Sequence, residues 1–222
     1  MSTTETVRAD EWFAESPILE EFIAQVNAIR HRASDPHAAV AEIRPHFARL
    51  LGDATWLPEK YHEVAEESGM GPRVGMWLLY RAGDGGLAFS VLVLPAGGQT
   101  PVHDHLAWGL VGLYRGRQAE EVYHRSDDDS SKGYAQLQLA EQNILEPGDF
   151  YELMPANDIH RVRTISDCTS VSLHLLGNDN GCIWRHKFDP DADTVEPFRS
   201  GWLNVGCMES AQLSESAHQQ AS

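Results

Sequence analysis

The 222-residue sequence is poor in cysteine and in positive charge. Its three cysteines, Cys168, Cys182 and Cys207, are widely spaced and include no C-x-x-C pair, so their spacing predicts no disulfide framework. The 17 Lys and Arg residues face 33 Asp and Glu, giving a formal net charge of -16. This balance argues against nucleic acid and anionic membranes as partners, because both bind clustered basic side chains. A small anionic substrate is still compatible with it, because one nearby arginine outweighs a distant, screened field.

Long apolar runs are also absent. The sequence contains no stretch of 18 apolar residues, and its first ten residues lack the apolar segment of a signal peptide. Together with the cysteine pattern, these absences predict a soluble protein of a reducing compartment, the cytoplasm. Apolar residues make up 42% of the chain, which is enough for the core of one domain with an appendage.

Helical patterns are confined to the N-terminal part of the chain. Residues 1–15 are polar and are predicted to be flexible. Ser16-Pro17 and Asp35-Pro36 each join a capping side chain to a proline at the first helical position, and apolar residues with helical spacing follow both. Pro45 lies inside the second pattern and predicts a kinked or split helix. We therefore expect a helical segment over residues 16–60, packed on the domain that follows.

From about residue 74 the pattern changes to short β-type runs. Segments rich in Val, Leu, Phe, Tyr and Trp alternate with Gly, Pro, Asp and Asn clusters roughly every 8–12 residues, which is typical of a β-sandwich or barrel. We assign this barrel to residues 61–206 and predict a disordered tail over 207–222, where apolar residues become scarce. The predicted strands are 74–81, 87–94, 107–115, 118–125, 134–140, 149–153, 159–165, 169–176 and 181–188.

Three of the eleven histidines have a pattern that suits a metal. His103 and His105 follow a Gly- and Pro-rich turn, and alternate residues of a strand point to the same side. His160 begins a later strand and offers a third imidazole. Three protein ligands fix a metal and leave positions for substrate and oxygen. The histidines interpreted as surface, structural or tail residues are His31, His37, His46, His62, His124 and His218.

The segments around these histidines resemble the two cupin motifs. Gly98 through His105 resembles the first motif, a glycine followed by H-x-H, and Pro147-Gly148 through Pro155 to His160 resembles the second. The resemblance implies an all-β cupin fold, a double-stranded β-helix or jelly-roll barrel, and a metal held by His103, His105 and His160. Where many cupins place a glutamate ligand, this chain has Gly109 and Leu110. Three neutral ligands make a more cationic site, which favours an anionic ligand such as a thiolate.

Within the cupins, the chain is similar to the bacterial thiol dioxygenases, the group of cysteine dioxygenase and 3-mercaptopropionate dioxygenase. The similarity spans most of residues 16–190. It implies an Fe(II) cofactor, O₂ as co-substrate, and Ser172 and His174 as outer-sphere catalytic residues beside the metal. In that family a tyrosine follows two residues after the histidine, but this chain has Leu176 there, and leucine cannot form a hydrogen bond.

Two arginines are candidates for binding a substrate carboxylate. Arg185 follows His174 by eleven residues, as does the carboxylate-binding arginine of the 3-mercaptopropionate enzymes, and a guanidinium matches a carboxylate in shape. Arg81 ends the first barrel strand, near the corresponding arginine of cysteine dioxygenases. If both face the pocket, a dicarboxylate thiol such as mercaptosuccinate becomes a candidate substrate.

The resemblance therefore implies an enzyme, monomeric or homodimeric, that oxidises a small thiol carboxylate to its sulfinate. Candidate substrates are 3-mercaptopropionate, mercaptosuccinate and cysteine. One alternative is a cupin that uses another metal, such as Ni²⁺, Mn²⁺ or Zn²⁺, on a carboxylate substrate without a thiol, which Leu176 favours. A second alternative is a cupin that binds a small molecule without catalysis.

Overall fold

The computed structural model describes residues 8–207. Residues 208–222 of the predicted disordered tail and residues 1–7 of the predicted flexible N-terminus lie outside the described residues. After a two-residue strand at Glu11–Trp12, the described part contains two α-helices, α1 (Pro17–Arg32) and α2 (Pro36–Leu51), and then a short 3₁₀ turn at Glu59–His62. The rest of the described chain is almost entirely β-strand and connecting loop.

Both helices begin at the predicted capping residues. The Ser16 hydroxyl accepts the Leu19 N–H at 3.4 Å, and Asp35 Oδ1 accepts the Ala38 N–H at 2.9 Å. Each pair satisfies one of the N–H groups that have no partner inside a helix. The two predicted helix starts are therefore confirmed.

Helix α2 continues through Pro45, so the predicted split is wrong. Ile43 and Phe47, on either side of the proline, are both completely buried. A proline inside a helix costs about 3 kcal/mol, and burying each of these two side chains contributes about 1.5–3 kcal/mol. Packing of the helix on the barrel therefore outweighs the missing hydrogen bond.

The strands form two six-stranded antiparallel sheets. The first sheet, in spatial order β1-β2-β3-β10-β5-β8, contains β1 (Glu11–Trp12), β2 (Gly75–Arg81), β3 (Ala88–Leu94), β10 (Ser170–Leu176), β5 (Gly109–Arg115) and β8 (Phe150–Leu153). The second sheet, in spatial order β12-β11-β4-β9-β6-β7, contains β12 (Thr194–Phe198), β11 (Arg185–Asp189), β4 (Val102–His103), β9 (Ile159–Thr164), β6 (Gln118–Arg125) and β7 (Leu137–Leu145).

This arrangement confirms the predicted fold class, an all-β jelly roll preceded by a helical segment. All nine predicted strands overlap an observed strand. The short strands β1 and β4 and the proline-containing β12 were not predicted. Two-residue strands have no detectable period, and proline argues against a strand except at a sheet edge, where β12 lies.

The first sheet is covered on both faces, which explains why β3 and β10 are buried along their whole length. Its outer face packs against α1 and α2 in one apolar cluster that includes Phe22, Phe47, Phe89 and Leu173. Gly112 on β5 allows this close approach, because a Cβ there would lie 2.4 Å from a methyl carbon of Leu51. The inner face turns towards the second sheet and the candidate site.

The cysteine spacing implies no disulfide framework, yet Cys182 and Cys207 are bonded with their Cα atoms 5.3 Å apart. They lie 25 residues apart in sequence, on the loop after β10 and on the segment after β12, and spacing alone does not reveal their contact. Cys168 is exposed and free. Disulfides are rare in reducing compartments, so this bond gives no support to a cytoplasmic location, which stays a prediction. Between residues 8 and 207, no helix has the length and apolar character needed to cross a bilayer.

Candidate metal centre

His103, His105 and His160 meet inside the barrel. Strands β4 and β9 pair in the register that places His103 opposite His160, while His105 lies just beyond the end of β4. One ring nitrogen from each histidine lies within 4.8 Å of the others. All three side chains are buried, none more than 3% exposed. Pairing of strands that are distant in sequence therefore assembles a compact cluster of three imidazoles.

His103 and His105 are each held through Nδ1. His103 Nδ1 lies 2.9 Å from the Pro101 carbonyl oxygen, and His105 Nδ1 lies 3.1 Å from Asp158 Oδ1. Because a carbonyl or a carboxylate oxygen can only accept a hydrogen bond, Nδ1 is the donor in each ring and Nε2 keeps its lone pair. This is the tautomer that a metal-binding histidine needs.

His160 is held in the same way by a deeper network. Its Nδ1 lies 2.9 Å from Glu120 Oε1 and 3.2 Å from the Tyr151 hydroxyl. Asn143 donates to the other oxygen of Glu120 at 3.2 Å. His160 Nε2 is buried and has no hydrogen-bond partner among the described residues. A buried nitrogen without a partner is costly unless a ligand occupies it, so this atom fits a metal ion.

Burial sets the charge state of the cluster. Desolvation, followed by the nearby charges of His105, Arg185 and His160, holds the pKa of His103 well below its ordinary value. Desolvation and the charge of His160 likewise lower the pKa of His105. Both imidazoles are therefore neutral at physiological pH and can donate an electron pair to a metal.

Glu120 stays ionised even though it is buried. Burial by itself raises the pKa of this carboxyl, but hydrogen bonds with His160, Tyr151 and Asn143 outweigh that effect and hold the pKa below its usual range. The carboxylate therefore faces the His160 ring as an anion. This is the arrangement that strengthens a metal-binding histidine as a ligand.

The backbone around His105 is fixed by side chains from two loops. Asp158 accepts the N–H groups of His105 at 3.0 Å and of Leu106 at 2.6 Å. Asn180 donates to the His105 carbonyl at 2.8 Å, and Asn178 donates to the Leu106 carbonyl at 3.1 Å. These bonds hold Leu106 at φ = 52°, a left-handed conformation that is strained for leucine. The loop is therefore held in place by polar contacts rather than by local preference.

The structure leaves no room for a side chain at Gly109, one of the two positions where the cupin motif would place a glutamate. Gly109 pairs with Leu176 across β5 and β10. A Cβ at Gly109 would lie 2.3 Å from the Leu175 carbonyl oxygen and 2.7 Å from a methyl carbon of Leu176. No side chain fits at Gly109, and Leu176 packs beside it with Ala107. Gly109 and Leu176 are thus parts of one local packing arrangement.

Ser172 and His174 lie side by side on β10. Both are buried, and the Ser172 hydroxyl lies 3.0 Å from His174 Nε2. Burial, followed by the charges of His160 and Arg185, lowers the pKa of His174 to about 3. His174 is therefore a neutral hydrogen-bonding group that shares the electrostatic environment of the three-histidine cluster.

Arg185 is buried beside the cluster, and most of its donors are occupied. Its Nε donates to the Asn180 carbonyl at 3.2 Å, Nη1 to the Asp104 carbonyl at 2.8 Å and Nη2 to the Ser200 hydroxyl at 3.1 Å. The guanidinium carbon lies 4.5 Å from the centre of the Phe198 ring. These contacts position the guanidinium without neutralising it.

The charge of Arg185 has no carboxylate partner within residues 8–207 at ion-pair distance. Burial lowers the pKa of Arg185 to about 10, while the charges of Asp104 and Asp158 act in the opposite direction. The side chain is therefore still protonated at neutral pH. A buried cation without a paired anion is a natural binding site for an anionic group.

Arg81 lies in a different environment. Its Nε donates to Glu11 at 2.8 Å and its Nη1 to Asp179 at 3.0 Å. Both carboxylates neutralise the guanidinium, and its hydrogen bonds in the described structure include none to the three histidines. The structure therefore groups His103, His105 and His160, places the charge of Arg185 and the Ser172–His174 pair within their electrostatic influence, and leaves Arg81 in an ion-pair network of its own.

Sequence reasoning missed the carboxylates behind the ligands. Glu120 reaches His160 because β6 and β9 pair with Val122 opposite His160, and this register cannot be read from spacing. Asp158 lies only two residues before His160, yet it bonds to His105. The one available signal was weak: Gln118 and Glu120 are polar at alternate positions of a predicted strand, where inward-facing residues are usually apolar.

No family model matches the chain. The similar solved structures include a cupin-2 domain protein from Halorhodospira halophila, with 17% identity over 54% of this chain and 77% of that one and a TM-score of 0.39. They also include the Cnp3 cupin domain of Schizosaccharomyces pombe, with 13% identity over 47% of this chain and 60% of that one and a TM-score of 0.36. An oxalate oxidase bound to glycolate has 14% identity over 58% of this chain and 61% of that one and a TM-score of 0.41. The chain spans less than two thirds of the length of the last two proteins.

Proposed function

We propose that the protein is a mononuclear non-haem iron(II) dioxygenase that oxidises a small thiol carboxylate to its sulfinate. The thiol takes up both atoms of O₂, so that R–SH and O₂ give R–SO₂H. One observation carries the proposal: three buried histidines lie beside Arg185, a buried guanidinium without a carboxylate partner in the described structure. The first feature suits a metal with open positions, and the second suits a substrate carboxylate.

His103, His105 and His160 are the residues that would hold the metal. When bound, iron(II) would deprotonate the substrate thiol and supply the open positions and redox chemistry that join sulfur to oxygen. Pro101, Asp158 and Glu120 keep the three rings in the ligand tautomer by accepting from Nδ1.

The two carboxylates also change the expected electrostatics. Three neutral ligands alone predict a strongly cationic site. Glu120 and Asp158 each contact a ligand ring from behind, so they offset part of the metal charge without occupying a coordination position. Arg185 then provides the positive charge that attracts and orients an anionic substrate.

Arg185 is the proposed anchor for the substrate carboxylate. A substrate held at one end by Arg185 and at the other by its sulfur has little freedom left, which favours reaction with oxygen. Arg81 is already neutralised by Glu11 and Asp179. Since Arg185 is the one of these two arginines without a carboxylate partner in the described structure, we propose a monocarboxylate such as 3-mercaptopropionate rather than a dicarboxylate such as mercaptosuccinate.

Ser172 and His174 are the proposed polar groups beside the reacting atoms. Because the pKa of His174 is about 3, it acts as a neutral hydrogen-bonding partner rather than as a cation. The Leu176 side chain offers no hydrogen bond, so the Ser172–His174 pair acts without the tyrosine that follows it in the thiol dioxygenases.

Metal content and oxygen uptake, measured together, test the proposal. We expect protein purified without added metal to contain iron and to consume O₂ with 3-mercaptopropionate, with much slower uptake for cysteamine, which lacks a carboxylate. His160→Ala should lower bound iron and oxygen uptake together, whereas His124→Ala, at an exposed position on β6, should change neither. Full oxygen consumption by anaerobically iron-loaded His160→Ala would overturn the proposal.

A second candidate is a metal-dependent cupin that acts on a carboxylate without a thiol. The observation that favours it is Leu176, which fills the place of the family tyrosine. Stoichiometric metal with no oxygen uptake on 3-mercaptopropionate, cysteine, mercaptosuccinate or cysteamine would favour this candidate. Absence of both metal and uptake would favour a non-enzymatic ligand-binding cupin.

A further inference from the structure

Met70 enters the barrel interior from outside the strands. It lies on the irregular segment between the 3₁₀ turn and β2, yet its side chain is only 4% exposed. It belongs to an apolar cluster that joins the inner faces of the two sheets, composed of Met70, Val74, Met76, Leu92, Leu94, Val162 and Phe198. A residue from a loop therefore forms part of the inner wall.

This cluster adjoins the candidate site on several sides. The centre of the Phe198 ring lies 6.3 Å from the centre of the His103 ring and 4.5 Å from the guanidinium carbon of Arg185. Val162 follows His160 by two residues on β9 and faces the same side. The surroundings of His103 and Arg185 thus include an apolar cluster to which Met70 belongs.

Met70 also contacts the proposed carboxylate anchor directly. Its sulfur lies 3.9 Å from Arg185 Nη2, and a thioether is a weak hydrogen-bond acceptor. The other acceptors of Arg185 are two backbone carbonyls and the Ser200 hydroxyl, which hold it more firmly. The contact with Met70 is therefore the one that a substrate carboxylate most readily replaces, and the Met70 side chain adjoins the carboxylate position.

A tight turn fixes the position of Met70. The Ser68 hydroxyl accepts the Met70 N–H at 3.2 Å and donates to the Gly71 carbonyl at 3.0 Å. Gly71 has φ = 116°, a conformation that favours glycine. A Cβ at Gly69 would lie 2.2 Å from the Ser200 carbonyl oxygen, so the turn packs directly on the backbone of an Arg185 partner. The turn and Arg185 are thus held in one unit.

We propose that Met70 is a specificity-determining residue that limits the room beside the substrate carboxylate. Its side chain restricts the substrate to a short, unbranched thiol carboxylate by filling the space that a branch next to the carboxylate would need. The identity of this substrate rests on the proposed function. The size limit itself is a property of the carboxylate site and can be measured without turnover.

The test compares propionate with isobutyrate, which carries one extra methyl group next to the carboxylate. Binding of each to the zinc-loaded protein is measured by calorimetry, and kcat/KM of the iron-loaded protein is measured with 3-mercaptopropionate and its 2-methyl derivative. Excluding one methyl group from an apolar pocket is worth about 10–200-fold. Two ratios are compared: the affinity for propionate over that for isobutyrate, and kcat/KM for 3-mercaptopropionate over that for its 2-methyl derivative. We expect Met70→Ala to shift both ratios at least about tenfold towards the branched compound.

Two variants serve as controls. Met70→Leu keeps the volume of the side chain and should leave both ratios within about threefold of wild type. Leu79→Ala shortens a buried side chain of β2 that packs in the cluster of the two helices, apart from the cluster of Met70, and should leave the ratios unchanged. If Met70→Ala does not fold, Met70→Val shortens the side chain and is judged by the same ratios.

The outcomes separate the two proposals. Unchanged ratios in the shortened variant, or an equal shift in Met70→Leu or Leu79→Ala, would overturn the role of Met70. So would failure of the zinc-loaded wild-type protein to bind propionate. A shift in carboxylate binding without oxygen uptake on any thiol would support the role of Met70 and refute the proposed function alone.

Discussion

Replacing Glu120 by glutamine removes one buried negative charge and keeps the shape of the side chain. In the wild-type protein, Glu120 Oε1 lies 2.9 Å from His160 Nδ1, while Oε2 accepts from Asn143 at 3.2 Å. A glutamine whose amide oxygen accepts from His160 places its amide NH₂ opposite the NH₂ of Asn143. The substitution therefore weakens the hydrogen bond to the His160 ring and breaks the hydrogen bond from Asn143.

The magnitude follows from these contacts. A hydrogen bond to a charged group contributes about 1.5–3 kcal/mol, against about 0.5–1.5 kcal/mol for a neutral pair. Losing this difference of about 1–1.5 kcal/mol weakens metal binding about tenfold, and the lost Asn143 contact adds to it. The expected loss of metal affinity is therefore about 10–100-fold, the range typical of groups that orient metal ligands.

The assay is a competition titration of Zn²⁺ or Co²⁺ between the protein and a coloured chelator, with thermal unfolding of the metal-free protein as a check on folding. Glu121→Gln is the matched control, because Glu121 is the next residue on β6 and pairs with Arg161 at 2.8 Å instead of with a ligand. We expect that control to bind metal within about twofold of wild type. Wild-type affinity in Glu120→Gln, or an equal loss in Glu121→Gln, would refute the reasoning.

Three further predictions concern the surroundings of the site. Arg185→Lys keeps the charge but loses the planar fork, so KM for 3-mercaptopropionate should rise about tenfold in oxygen-uptake assays while cysteamine kinetics stay unchanged. A hydrogen bond to Asp104 raises the pKa of His186, so this pair stabilises the fold below the unfolded pKa of about 6.5 and loses its effect as pH rises through the folded value. The stability difference between wild type and His186→Gln, measured by urea unfolding, should therefore be larger at pH 5.5 than at pH 8.5, and the opposite order would contradict the assignment. Cys182→Ser opens the 25-residue connection to Cys207 and should lower the free energy of unfolding by about 3 kcal/mol, a loss that reduced wild-type protein should reproduce.

Local sequence signals predicted most of the framework. Ser16 and Asp35 marked the helix starts because a capping side chain and a following proline act within one turn. The spacing of apolar runs located the strands because the signal lies inside each strand. Pro45 misled because its cost is local, whereas the burial of Ile43 and Phe47 that outweighs it depends on the barrel.

The sequence by itself also pointed to His103, His105 and His160, because H-x-H and a later histidine after turn signals form a recognisable pattern. Only the tertiary structure decided what surrounds them. It placed Glu120 behind His160 through the register of β6 and β9, neutralised Arg81 with Glu11 and Asp179, and left Arg185 without an anion in the described chain. Contacts between residues far apart in sequence depend on strand pairing and burial, and these belong to the folded chain as a whole.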